Sequence, residues 1–93
     1  MTTPILKSNR ELFGYLVALS DHLQSKGESE LARIIKTASR FASGSQTEFL
    51  FAAEAALTRV RASRAEALDQ EQIAAITGVL QQIQVAFIKV GGA

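Results

Sequence analysis

His22 is the residue of this sequence best suited to acid–base or nucleophilic chemistry near neutral pH. It is the single histidine among 93 residues and lies in the stretch SDHLQSKG, residues 20–27. Acyl transfer would require a serine activated by His22 and an acid that orients the histidine, and Ser20, Ser25 and Asp21 lie nearby in the sequence. Serine is abundant throughout the chain, however, and no convergent set of catalytic groups accompanies His22. We therefore expect no enzymatic activity.

The order of His22, Lys26 and Gly27 loosely resembles the motif of histidine-containing phosphotransfer domains. Those domains are helical bundles whose phosphorylated histidine is followed by lysine and glycine, three and four positions on. Here the two residues follow one position later than in that family. The resemblance implies phosphoryl transfer through His22, which is the alternative function. The interpretation we adopt is that His22 and Lys26 occupy the last turn of a helix, where the helix dipole stabilises positive charge.

Few residues of the sequence could bind a metal or a cofactor. There is no cysteine, only one histidine and no Glu-x-x-His pair, so the usual zinc and di-iron sites of helical bundles cannot form. A Gly-x-x-x-x-Gly-Lys phosphate-binding loop is also absent. The sequence therefore predicts a protein that uses neither metal nor cofactor.

Two groups of basic residues are the strongest charged features of the chain. One is a stripe in the second predicted helix and the other lies near the end of the third: Arg33, Lys36 and Arg40, then Arg59, Arg61 and Arg64. Such groups could contact nucleic-acid phosphates or the acidic surface of a partner. The formal net charge is only +1 and no recognition motif accompanies these residues, so nucleic acid is the less favoured partner.

Capping residues divide the chain into predicted helices. Three pairs fit the capping box, in which each side chain bonds the other residue's backbone amide: Ser8 with Glu11, Ser45 with Glu48, and Asp69 with Gln72. Gly27 and Gly44 follow apolar-periodic runs and are predicted to end helices in the left-handed conformation. The four predicted helices lie near residues 8–26, 29–42, 46–66 and 70–90.

The apolar residues of each predicted helix recur at spacings of three and four, which is typical of amphipathic helices. The pattern is clearest in the fourth helix: Ile73, Ile76, Leu80, Ile83, Phe87 and Val90. Short turns at Gly27 and Gly44 favour antiparallel neighbours. The sequence thus predicts an all-α fold, a small antiparallel four-helix bundle with up-down-up-down topology that forms a single domain over residues 1–93.

Three apolar residues exceed what a lone bundle can bury. Val85 and Ile88 lie roughly opposite the predicted core stripe of the fourth helix, and Phe51 lies on a polar row of the third. A helix that is apolar on two faces is usually covered on both. We therefore expect these residues to form an interface, either with a second copy of the chain or with another protein.

The most apolar segment, residues 72–88, is too short and too rich in glutamine to span a bilayer, which takes about 20 apolar residues. Lys7 and Arg10 precede an apolar run as in a secretory signal, but the leucine spacing continues past the possible cleavage site. We expect no membrane association. The lack of cysteine is compatible with a reducing compartment and favours a cytoplasmic location.

Overall fold

The structure, a computed structural model, describes residues 8–63 and 65–91. It contains four α-helices: α1 (Asn9–Ser25), α2 (Ser29–Ser39), α3 (Gln46–Ser63) and α4 (Gln70–Gly91). A 3₁₀ turn, Arg40–Ser43, connects α2 to α3, and no β-strand occurs within the described ranges. The predictions of an all-α class and of four helices are confirmed.

Side-chain caps begin α1 and α3 at the predicted serines. The Ser8 hydroxyl accepts a hydrogen bond from the Glu11 amide at 3.2 Å, and the Ser45 hydroxyl accepts one from the Glu48 amide at 3.3 Å. Each bond satisfies a backbone donor that the helix itself leaves without a partner. A cap of this kind contributes about 1 kcal/mol to stability.

The capping box at the start of α4 is formed in both directions. The Gln72 amide donates to Asp69 Oδ1 at 2.8 Å, and the Asp69 amide donates to Gln72 Oε1 at 3.3 Å. Leu68 precedes the cap and is buried, while Ile73 packs against the core from the first turn of the helix. These are the positions of a hydrophobic staple, which fixes the angle at which the chain enters α4.

Gly27 ends α1 as the sequence predicts. Its φ of 83° places it in the left-handed region, which glycine adopts without the steric cost of a Cβ atom. The Glu28 amide donates to the Leu23 carbonyl at 2.9 Å and the Gly27 amide donates to the Gln24 carbonyl at 3.1 Å. These two bonds form a Schellman motif.

The prediction for Gly44 is wrong. Its φ is −100°, outside the left-handed region, and α2 ends at Ser39 through the 3₁₀ turn instead of continuing to residue 42. The Gly44 amide donates to the Phe41 carbonyl at 3.0 Å, so the tighter 3₁₀ pattern closes this end of the connection. The end of α3, at Ser63, also comes earlier than the predicted residue 66.

All four helices contribute to one apolar core, with α1 packed on α2, α2 on α3, and α3 on α4. A buried hydrogen bond from the Ser20 hydroxyl to the Ala32 carbonyl, 3.0 Å long, links α1 to α2. The contacts between consecutive helices are consistent with the predicted bundle. The largest fully buried side chains are Phe49, Leu16, Leu23, Ile35, Leu57, Ile76, Val60 and Val79.

The buried face of α4 differs from the predicted stripe. Ile76, Leu80 and Ile83 are buried as predicted, but Val79, which was outside the stripe, is fully buried with them. The predicted members Ile73 and Phe87 are only partly buried, and the Val90 side chain lies outside the described residues. The buried face is therefore centred between Ile76 and Val79, on the side of α4 that packs against α3 and the core.

Candidate interaction surfaces

His22 forms a long-range hydrogen bond. It lies half-buried in the last turn of α1, and its Nε2 atom is 3.0 Å from the Ala67 carbonyl oxygen in the connection between α3 and α4. A carbonyl only accepts, so Nε2 carries the proton and donates it. In this arrangement Nε2 has no lone pair with which to receive a phosphoryl group. The hydrogen bond gives Nε2 a structural partner, and the phosphotransfer alternative stays a prediction.

Burial also affects Tyr15, which packs against the core from α1. Removal from water disfavours the phenolate and raises the pKa of Tyr15 to about 12. The unfolded chain loses this proton near pH 10 while the folded chain keeps it. Stability from this group is therefore fully present below about pH 10 and is lost as the pH rises towards about 12.

We expect the loss of stability between about pH 9 and about pH 11 to be smaller in Tyr15→Phe than in wild type. Denaturant unfolding at both pH values measures the free energy of unfolding of each protein. Because lysine titration contributes equally to wild type and variant, the difference between them reports Tyr15. Tyr15 is the only tyrosine and there is no tryptophan, so tyrosinate absorbance reports this group alone. A tyrosinate midpoint near pH 10 in the folded protein would contradict the effect of burial.

The predicted interface residues are all exposed, and two helices contribute them. Phe51 on α3 is 67% exposed, and Val85 and Ile88 on α4 are 52% and 62% exposed. The Phe51 ring meets the Phe87 ring edge to face, with centroids 5.9 Å apart and an angle of 84° between the planes. We call Phe51, Val85, Phe87 and Ile88 the α3–α4 patch, in which Val85 and Ile88 lie on a different side of α4 from Phe87. Phe87 is partly buried and packs against the core, so it touches both the core and Phe51. The predicted stripe placed it in the core only.

The basic residues do not form one surface. Arg33, Lys36 and Arg40 are exposed along α2 and the 3₁₀ turn, as predicted. Arg59 is exposed on α3, where it borders an apolar groove between α2 and α3 of about 260 Å³. Arg61 is only half-exposed.

Arg61 instead has a structural partner, because its Nη1 donates to Thr77 Oγ1 at 3.3 Å and so links α3 to α4. Arg61 thus has one partner within the fold, and its role as an anion or partner contact stays a prediction. Arg64 lies outside the described residues.

A hollow of about 450 Å³ lies between the first turns of α1 and the 3₁₀ turn. It brings Arg10 to the same surface as Arg40, with Phe13 and Ala42 among the residues that line it. We call this the α1 hollow. Arg10 was not among the predicted contact residues, because a single arginine in the first turn of a helix carries no signal until the fold places it beside another.

Within residues 8–63 and 65–91, no group of three or more His, Cys, Asp or Glu side chains could hold a metal ion. No helix among the described residues has the length and apolar character to cross a bilayer. Comparisons of the chain with protein-family models, curated proteins and solved structures find no match. Function must therefore be inferred from the surfaces of the molecule itself.

Proposed function

We propose that this protein is a small non-catalytic interaction module that self-associates through the α3–α4 patch. The observation that carries the proposal is the exposure of three large apolar side chains, each more than half exposed, on helices that meet at the Phe51–Phe87 contact. Large exposed apolar surface on a small protein commonly marks interaction sites. The alternative to self-association is that a protein of different sequence binds the same surface. A cytoplasmic setting completes the proposal.

The proposed topology accounts for where the patch forms. The Gln46 side chain donates to Asn9 Oδ1 at 3.4 Å, so the starts of α3 and α1 lie together. His22 at the end of α1 contacts Ala67, just beyond the end of α3. Both contacts support α1 and α3 running in the same direction, with α2 and α4 returning. In such an up-down-up-down bundle, the start of α3 lies beside the end of α4, where Phe51 meets Phe87.

A symmetric dimer would use the patch efficiently. In a two-fold interface the same surface is contributed by both copies, so apolar residues meet apolar residues. Residues 72–88 of α4 contain no charged side chain, so two copies can approach here without like-charge repulsion along this segment. Each square ångström of apolar surface removed from water contributes about 25 cal/mol.

We expect the double variant Val85→Asp with Ile88→Asp to lower the oligomeric mass to that of a monomer. The two positions lie one helical turn apart, so the carboxylates would stand together in the interface, where desolvating an unpaired charge costs several kcal/mol. Sedimentation or light scattering at matched concentrations measures the mass, and circular dichroism checks that the variant stays helical.

A matched control places the same two charges elsewhere on α4. Gln70 and Ala74 are exposed and lie near the opposite end of the helix. Their replacement by aspartate should leave the mass of the wild-type assembly unchanged. A wild type that is monomeric at every concentration would count against self-association. A folded Val85→Asp, Ile88→Asp variant that retains the wild-type mass would place the interface on another surface.

A further inference from the structure

The α1 hollow combines two positive charges from separate elements. Arg10 lies in the first turn of α1 and Arg40 in the 3₁₀ turn, and both are exposed. In the part of the chain that the structure describes, neither guanidinium group takes part in a hydrogen bond or an ion pair. None of the described residues that line the hollow is acidic. Positive charge at this place therefore has no partner among its neighbours.

Apolar residues line the hollow together with the two arginines. Phe13 follows Arg10 by three positions, so the two side chains lie side by side on α1. The Phe13 side chain is 41% exposed and belongs neither to the buried core nor to the α3–α4 patch. Ala42 adds an apolar wall from the 3₁₀ turn. The hollow thus offers an aromatic contact with guanidinium groups at its edge.

The serine hydroxyls in the hollow are already in use as donors. Ser39 Oγ donates to the Lys36 carbonyl at 2.6 Å, and Ser43 Oγ donates to the Arg40 carbonyl at 3.5 Å. The guanidinium groups are therefore the main free donors that face an incoming group. Arginine binds carboxylates through two parallel hydrogen bonds, which gives both strength and orientation.

We infer that the α1 hollow binds an acidic segment of a partner protein, in which a carboxylate side chain lies next to an apolar side chain. The carboxylate would pair with Arg10 and Arg40, and the apolar side chain would cover Phe13. Further acidic residues in the same segment would meet Lys36 and Arg33, which continue from Arg40 at helical spacing along the exposed face of α2.

A protein segment fits this hollow better than a small ligand or a nucleic acid. Arg10, Phe13, Arg40 and Ser43 are all exposed, so a small molecule would remain largely in water, whereas ligand pockets bury most of their occupant. Nucleic-acid binding depends on many phosphate contacts, and a chain of net charge +1 with two arginines here offers few. A short acidic and apolar segment matches both the charge and the aromatic surface.

The test is an NMR titration of the isotope-labelled full chain with a probe peptide of repeated Asp-Leu-Glu-Phe. We expect amide shifts concentrated in residues 9–13 and 39–43. The affinity should fall at least about tenfold in the variant Arg10→Gln with Arg40→Gln, since charged hydrogen bonds are lost. Phe13→Ala should also weaken binding, while a peptide with lysine in place of the acidic residues should not bind.

Two controls make the result specific. Arg59→Gln with Lys89→Gln removes the same charge elsewhere on the surface and should leave the affinity unchanged. The Val85→Asp, Ile88→Asp variant should also bind normally, since the α3–α4 patch is formed by other helices. The inference is overturned if millimolar peptide causes no shifts, if the arginine variant binds as tightly as wild type, or if a single-stranded oligonucleotide binds these residues more tightly than the peptide does.

Discussion

Replacing Phe49 with alanine is expected to lower the free energy of unfolding by about 3–5 kcal/mol. Phe49 is completely buried and is the largest of the fully buried side chains, so its removal leaves a cavity in the centre of the core. A small domain has a total stability of only about 5–15 kcal/mol. The variant should therefore lose much of its stability, which urea unfolding followed by circular dichroism measures.

Phe51 provides a matched control two residues along the same helix. Phe51 is 67% exposed, and its ring contacts the Phe87 ring edge to face. Such a pair contributes about 0.5–1.5 kcal/mol beyond the area that it buries. Phe51→Ala should thus cost about 1 kcal/mol at low protein concentration. Equal losses for Phe49→Ala and Phe51→Ala would mean that the buried face of α3 has been assigned wrongly.

A second large effect is expected from Val79→Asp. Val79 is completely buried, so the substitution places a carboxylate in the core without a charged partner. An unpaired buried charge costs about 3–5 kcal/mol or forces the group to bind a proton. We expect the variant to be largely unfolded near neutral pH and to recover some helical signal as the pH falls and the carboxylate is protonated. Circular dichroism as a function of pH measures both effects.

Val85→Asp is the control for this substitution. It makes the same chemical change on the same helix, but Val85 is 52% exposed, so the carboxylate remains largely hydrated. The fold should persist with a stability within about 1 kcal/mol of wild type when the protein is dilute. If Val79→Asp were folded and Val85→Asp were unfolded, the buried and exposed faces of α4 would have been assigned the wrong way round.

Local signals made the helix starts predictable. A capping side chain bonds an amide only three positions away, so Ser8, Ser45 and Asp69 carry most of the necessary information in a few residues. Gly27 is predictable for the same reason. Gly44 was not, because whether a chain ends a helix through a left-handed residue or a 3₁₀ turn depends on the packing of the segment that follows.

The core stripe of α4 shows a different limit. The predicted stripe alternates steps of three and four, a period of 3.5 residues, whereas a straight helix has 3.6 and drifts away from such a stripe. Val79 enters the core on one side, while Phe87 is left only partly buried on the other.

The candidate surface residues were predictable from the sequence only where all of them lie on a single helix. Val85 and Ile88 follow from their position opposite the core stripe. The meeting of Arg10 with Arg40 and the bond from His22 to Ala67, 45 residues away, depend on how separate helices dock. Nothing in the local sequence of either partner indicates the other.

The hydrogen bond between His22 and Ala67 affects whether two copies of this chain can exchange a helix by domain swapping. In a domain-swapped dimer, α4 would leave its own bundle and pack into another, and the connection from Ala65 to Asp69 would have to straighten as the hinge. That connection is held at two points, by the His22 hydrogen bond to Ala67 and by the buried side chain of Leu68. Opening the hinge would break both, so the fold opposes swapping of α4 and favours association of closed bundles through their surfaces.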